Sequence, residues 1–218
     1  MKNNRTPAQE ITRASKWIGV LFLIPMLAYS GGSAWMDALL QGQAVAPTWQ
    51  WAGAALLLVL NSVAVVLIAL RMYPLVKDLR RSTAIAYFAA RFAEAVLLSI
   101  GLFALLQVAP TRYATAAAEA PGSLVNIGIQ VNFQAYQLAM LALGVGSLPL
   151  FRLLGQTGML PRGLTWWAIG GYSLLALGAI GELCGLPYGI ALSIPGGLLE
   201  VTLGIWLIVK GLRPAQTA

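Results

Sequence analysis

Arg91 and Glu94 stand three residues apart inside an apolar run, Ala84–Gln107, that reads as a membrane-spanning helix. That spacing puts both side chains on one helical face, about 4.5 Å apart along the axis. Glu94 lies near the middle of the run. A charge at that depth costs from roughly 3 kcal/mol on insertion scales to over 10 in simulations, so it needs a partner or a task. Glu200 stands near the centre of the last apolar run, with no basic residue on its own span before Lys210. It must pair with Arg91, hold a proton or face water. If Arg91 bridges both carboxylates, the triad carries one excess negative charge, to be balanced by a shared proton or a bound cation. A Glu200 carboxylate more than about 8 Å from the guanidinium would remove the bridge, because charges act directly on one another only at shorter range.

The bland alternative is an ion pair that only fixes packing. The functional alternative is a binding or proton-relay site, the default for ionisable groups at depth. Arginine preceding glutamate is the less favourable order on a helix dipole, so local stabilisation by itself does not select this pair. Further polar residues bear on the choice. Asn61 is the one strongly polar residue inside the second apolar run. Asn126, Gln130, Gln134 and Gln137 recur at steps of four, four and three, which makes them one helical face. Such a stripe lines a polar cavity open to the outer side, or glues helices at about 0.6 kcal/mol per contact. Asp37 and Glu182 lie towards the same side and either face that cavity or are solvated at the interface. Pro195-Gly196-Gly197, one turn before Glu200, either breaks its helix and frees carbonyls at mid-membrane or allows close helix packing.

The elements that must position these residues follow from composition. The chain has 218 residues, 59% hydrophobic and 10% charged, with a mean hydropathy of +0.77. Soluble domains carry about 25% charged residues, so this is a polytopic membrane protein. The expected fold is all-α: a single six-helix membrane domain over residues 17–212, with polar tails at 1–16 and 213–218. Spans are expected at Trp17–Leu40, Ala52–Tyr73, Ala84–Gln107, Val125–Leu153, Gly163–Gly185 and Ile190–Leu212. Thr12 or Ser15 is expected to cap the first span. A cleaved signal peptide, ending near Ala28-Tyr29-Ser30, is the rival reading of that span. The connection Val108–Leu124 carries Arg112 and Glu119, with a short surface helix expected over Ala114–Ala118. Pro25 and Pro149 are expected to bend their helices.

The basic residues set the orientation. Lys2, Arg5, Arg13 and Lys16, then Arg71, Lys77, Arg80 and Arg81, then Arg152 and Arg162, then Lys210 and Arg213 share one side, and Arg112 alone lies on the other. Both termini are therefore expected in the cytoplasm, in a cell (inner) membrane. The same segregation accounts for the net charge of +7 without nucleic acid. The chain has no histidine, which removes most zinc, haem and non-haem iron sites and any imidazole base, so no cofactor is implied. Its one cysteine, Cys184, cannot form an intrachain disulfide. Two groups of three spans would run in opposite orientation, with Glu94 and Glu200 central in the third and sixth. This is the arrangement of inverted-repeat transporters, although the halves share no sequence match.

The segment Arg71-Met72-Tyr73-Pro74-Leu75-Val76-Lys77, followed by Ala90-Arg91-Phe92-Ala93-Glu94-Ala95, resembles a bacterial membrane family catalogued as domain of unknown function 4386. Phe151-Arg152, the turn Met159-Leu160-Pro161-Arg162, and Pro195–Glu200 followed by Gly204–Gly211 resemble the same family. Their order and spacing carry the resemblance, from the first span to Gly211. It implies a multi-span bacterial membrane protein with Arg91, Glu94 and Glu200 at family-motif positions, and it implies no activity.

Three functions follow from the residues. The first is binding or transport of a small molecule or lipid at the Arg91, Glu94 and Glu200 site, aided by Asn61, Gln130, Gln134 and Gln137. The second is an intramembrane enzyme using a buried glutamate as acid or base, against which the lack of histidine and of any nucleophile motif weighs. The third is an accessory subunit whose charges lock the bundle. A cavity reaching the triad favours the first, and a sealed triad the third.

Overall fold

The computed structural model describes residues 7–41, 46–108 and 122–215. Six helices fill them: α1 Pro7–Gln41, α2 Thr48–Val76, α3 Arg81–Val108, α4 Gly122–Gln156, α5 Arg162–Leu183 and α6 Gly189–Val209. All six are long and apolar enough to cross a membrane, as an all-α bundle must when lipid offers no partner to backbone N–H and C=O groups. Large apolar side chains point outwards along the bundle, among them Leu27, Phe103 and Ile190. The expected surface helix at Ala114–Ala118, with Arg112 and Glu119, lies outside the described residues, as do Lys2 and Arg5.

Helix boundaries fall within about four residues of the expected spans, except at the start of α1. That helix begins ten residues early, with Pro7 at its first position, where a missing N–H costs nothing. Thr12 and Ser15 are therefore interior residues and do not cap it. They bind the end of the chain: Ser15 Oγ accepts from the Leu212 amide at 2.8 Å, and Thr12 Oγ1 donates to the Leu212 carbonyl at 3.3 Å. Gly211, at φ 72°, makes the turn that brings Leu212 there, and the Arg213 amide donates to Met159 O at 3.1 Å. The start of α1, the α4–α5 turn and the end of α6 thus meet at one end of the bundle, together with Arg13, Lys16, Arg162, Lys210 and Arg213. Pro25, Pro74, Pro149 and Pro195 all lie within continuous helices. Pro195 does not break α6; its carbonyl accepts the Trp167 indole N–H at 3.1 Å.

Each helix packs against its neighbours in chain order, and α6 closes on α1, so the bundle is a ring. The seams are held by small residues. A Cβ on Gly19 would come within 2.6 Å of the Gly204 carbonyl, and Gly196 backs onto Gly171. Two apolar clusters fill the ring unevenly. The larger draws on all six helices at the basic end, around Phe22, Met72, Tyr87, Phe151, Tyr172 and Leu203. The smaller, around Met36, Trp51, Leu58 and Leu102, draws its buried residues from α1, α2 and α3 alone. Between them lies a polar layer.

Candidate functional site

Arg91 is the centre of that layer. On α3, Tyr87 one turn before it and Glu94 one turn after it share its face. Arg91 and Glu94 are 2% and 3% exposed, so neither charge is solvated from outside. The guanidinium divides its donors three ways. Nε donates to Tyr87 Oη at 3.1 Å, Nη1 to Glu94 Oε2 at 3.0 Å and Oε1 at 3.4 Å, and Nη2 to Glu200 Oε1 at 3.4 Å. The bridge to Glu200 is far inside the 8 Å limit. Phe22 and Tyr87 each place a ring 5.5 Å from the guanidinium carbon, an arrangement favourable to a desolvated cation.

Glu200 arrives from α6, and its Oε1 also accepts the Tyr172 hydroxyl of α5 at 2.9 Å. That oxygen is doubly used, whereas Oε2 has no partner among the described residues. The Glu200 side chain keeps 16% of its surface, against 4% for Glu94. The exposed part faces a cavity of about 470 Å³ lined by all six helices, with Asn61, Arg91, Glu94, Tyr172, Gly197 and Glu200 in its wall. A smaller chamber of about 30 Å³ shares Tyr29, Ser33, Asn61 and Leu98 with it and adds Asp37 and Asn132. Asn61, 4% exposed, lines both chambers.

The seam between α1 and α6 widens from its tight Gly19–Gly204 contact towards the polar layer. A Cβ on Gly197 would find only Met26 Cε, at 4.0 Å. Beyond it Ser30 and Ser33 of α1 and Ser193 of α6 continue the lining, Ser30 being exposed. The cavity is thus closed by the larger apolar cluster at the basic end and bordered by serines on the other side of the triad.

The structure brings Arg91, Glu94, Glu200 and Asn61 together and leaves the α4 stripe apart from them. Gln130 and Gln134 are exposed on the bundle surface, Gln137 is buried, and none of the three lines either chamber. The inward face of α4 is Asn132, Tyr136, Met140 and Leu143, two residues out of step with the glutamines. Two residues are about 200° on a helix, so the Gln130 and Gln134 amides point away from the cavity, whereas Gln137 is buried outside it. Glu182 does not face the cavity either; its Oε1 accepts the Gly189 amide at 2.8 Å and caps α6. Asp37 does line the smaller chamber.

Sequence reasoning missed the aromatic part of the site. Tyr87 could have been found from its place four residues before Arg91. Tyr172, and the stacked pair Tyr29 and Tyr136 with ring centroids 5.4 Å apart, carry no local signal.

Fold and site together define a polytopic membrane protein whose six helices form a ring around a polar cavity. A family model described as a domain of unknown function, DUF4386, matches residues 17–211, so the chain belongs to the family that its ordered motifs resemble. The comparisons with curated proteins and with solved structures find no match.

Proposed function

We propose that this protein binds a small molecule in the central cavity and releases it to, or carries it across, the membrane. One observation carries the reading: the Arg91 network forms part of a cavity wall of about 470 Å³ and is not sealed in packing. A lock for the bundle would use both oxygens of each carboxylate and leave no space beside them. Here Glu200 Oε2 has no partner among the described residues, and Glu200 lines the cavity together with Asn61. The volume lies in the range of small-ligand sites, roughly 300–1,000 Å³. We further place the basic end in the cytoplasm of a bacterial inner membrane, by the distribution of lysine and arginine. The serine-lined side of the cavity then faces the outer leaflet.

Native mass spectrometry of the gently solubilised protein tests the reading, with wild type beside Gly197→Leu and Arg91→Ala. Gly197 has open space before it, so leucine fills the cavity without disturbing the ion pairs. A species retained by wild type and lost in Gly197→Leu, at unchanged thermal stability, is the expected result. No retained species in wild type, with Arg91→Ala merely unstable, moves the accessory role to first place.

A further inference from the structure

The charge on the cavity wall selects the ligand class, given that the cavity is a binding site as proposed above. Among the described residues Arg91 is the only basic one lining either chamber, and it donates to Tyr87 and two carboxylates. Its single positive charge is outnumbered by those two carboxylates, so an anion would enter against a net negative cluster. Both Glu94 oxygens are held by Arg91, so the open acceptor is Glu200 Oε2. Asp37 adds a further carboxylate at the smaller chamber. Tyr29 and Tyr136 stack beside the cavity and supply the aromatic wall that cations favour.

We propose that the occupant is an organic monocation, a protonated or quaternary amine on an apolar body, and that it takes the place of one neutralising proton shared by the Glu94 and Glu200 carboxyls. With Arg91, Glu94 and Glu200 all ionised, the triad has a net charge of −1. A cluster this buried disfavours an uncompensated charge, so a neutralising charge is expected beside it. In the empty state that charge is one proton shared by the carboxyl pair, and Glu200 Oε2 is the oxygen left for a ligand to meet. When the cation enters, the O–H bond breaks, the proton leaves to water through the serine-lined side, and the ammonium takes its place against the carboxylate. No electron moves, and net charge is conserved. The groups that face Glu200 are Arg91, Glu94 and Tyr87 of α3, Tyr172 of α5, Tyr136 of α4 and Tyr29 of α1; α2 offers only the non-titrating Asn61. On α6 itself the nearest charge is Lys210, ten residues away at the basic end. Among the described residues no second cation is therefore at hand to replace the proton.

Competition for the carboxyl pair fixes the sign of the pH dependence. Lower pH fills the site with protons and weakens cation binding, so affinity rises with pH by up to about tenfold per unit and levels off once the shared proton is lost. Isothermal titration calorimetry of the purified protein tests this from pH 5.5 to 8.5, with benzyltrimethylammonium as fixed-charge probe and benzyl alcohol and phenylacetate as neutral and anionic controls. The expected result is saturable binding of the cation alone, tighter at high pH. Titrations in buffers of different ionisation enthalpy should show up to one proton released per cation. Glu200→Gln should weaken binding at least tenfold and remove its pH dependence, and Gly197→Leu should abolish it. Benzyl alcohol or phenylacetate binding in a Gly197→Leu-sensitive way, without the cation, overturns the cation class and leaves the binding site standing. Cation binding that is independent of pH, or equal in Gly197→Leu, overturns the exchange with the shared proton. Binding of none of the three, in a protein that retains no species in native mass spectrometry, overturns both this inference and the function it rests on.

Discussion

Three separate acceptors use one guanidinium, and this makes Arg91 difficult to replace. A lysine offers a point charge on a flexible stem and cannot reproduce the fork. We expect Arg91→Ala to lower stability by about 3–5 kcal/mol, the cost of leaving buried charges unpaired. Arg91→Lys should recover only part of that loss, as read by unfolding in mild detergent. The ions themselves are not expected to be the cheapest way to hold this bundle together. Arg91→Met combined with Glu94→Gln and Glu200→Gln should regain most of the stability lost in Arg91→Ala, because neutral groups of similar size avoid desolvation. If that triple variant keeps its stability but retains no ligand, the charges serve binding. Should it stay as unstable as Arg91→Ala, the charges serve packing. Tyr172→Phe removes one hydrogen bond to a carboxylate and should cost about 1–2 kcal/mol in the same assay. At this scale the Arg91–Glu94 pair was legible from spacing, because a helix fixes the relation of residues three apart.

Helix contacts depend on where backbones can approach. Next to Arg91, Ala90 of α3 lies against Gly146 of α4, and a Cβ on Gly146 would overlap the Ala90 methyl. Gly146→Leu should therefore push α3 from α4 and destabilise by roughly 1–3 kcal/mol, the usual cost of overpacking. Gly170 of α5 has nothing within 4 Å of such a Cβ and is exposed. Gly170→Ala should be neutral or gain up to about 1 kcal/mol through helix propensity. Equal losses in thermal unfolding of both variants would remove the seam argument. The extension of α1 to Pro7 was not legible from hydropathy, since Pro7–Lys16 is polar. Its contact with Leu212 gives that turn a partner almost two hundred residues away.

The ring as a whole places the termini of α1 and α6 at one end and the α5–α6 turn at the other. Cys184, the only cysteine of the chain, sits exposed in that turn. With the basic end in the cytoplasm, a membrane-impermeant maleimide should label Cys184 in intact spheroplasts. Labelling only after permeabilisation would invert the orientation and turn the serine-lined side of the cavity inwards. The two apolar clusters add an asymmetry to the molecule. The apolar cluster at the basic end draws buried residues from six helices and the other from three, with Val125 of α4 against it, so opening of the cavity should occur at the less packed end. Hydrogen exchange should be faster in α6 around Ser193 than around Leu203, and the reverse order would contradict this.

The six spans and the Arg91–Glu94 pair were determined by the sequence alone. Transfer of about twenty apolar residues into lipid is a local, additive quantity, and an i, i+3 pair is set by helix geometry. Family membership was legible for a similar reason, in the order of short motifs. Which way each helix faces is a different matter. Lipid and protein interior are both apolar, so a membrane helix lacks the clear amphipathic stripe that orients a soluble one. The glutamine stripe of α4 illustrates this: its periodicity was real, but Gln130 and Gln134 mark the exposed face, two residues out of step with Asn132 and Tyr136, and Gln137 is buried outside the cavity. Only the ring closure of α6 onto α1, together with the glycine contacts that set helix rotation, brought Glu200 and Tyr172 to Arg91 and left a cavity beside them.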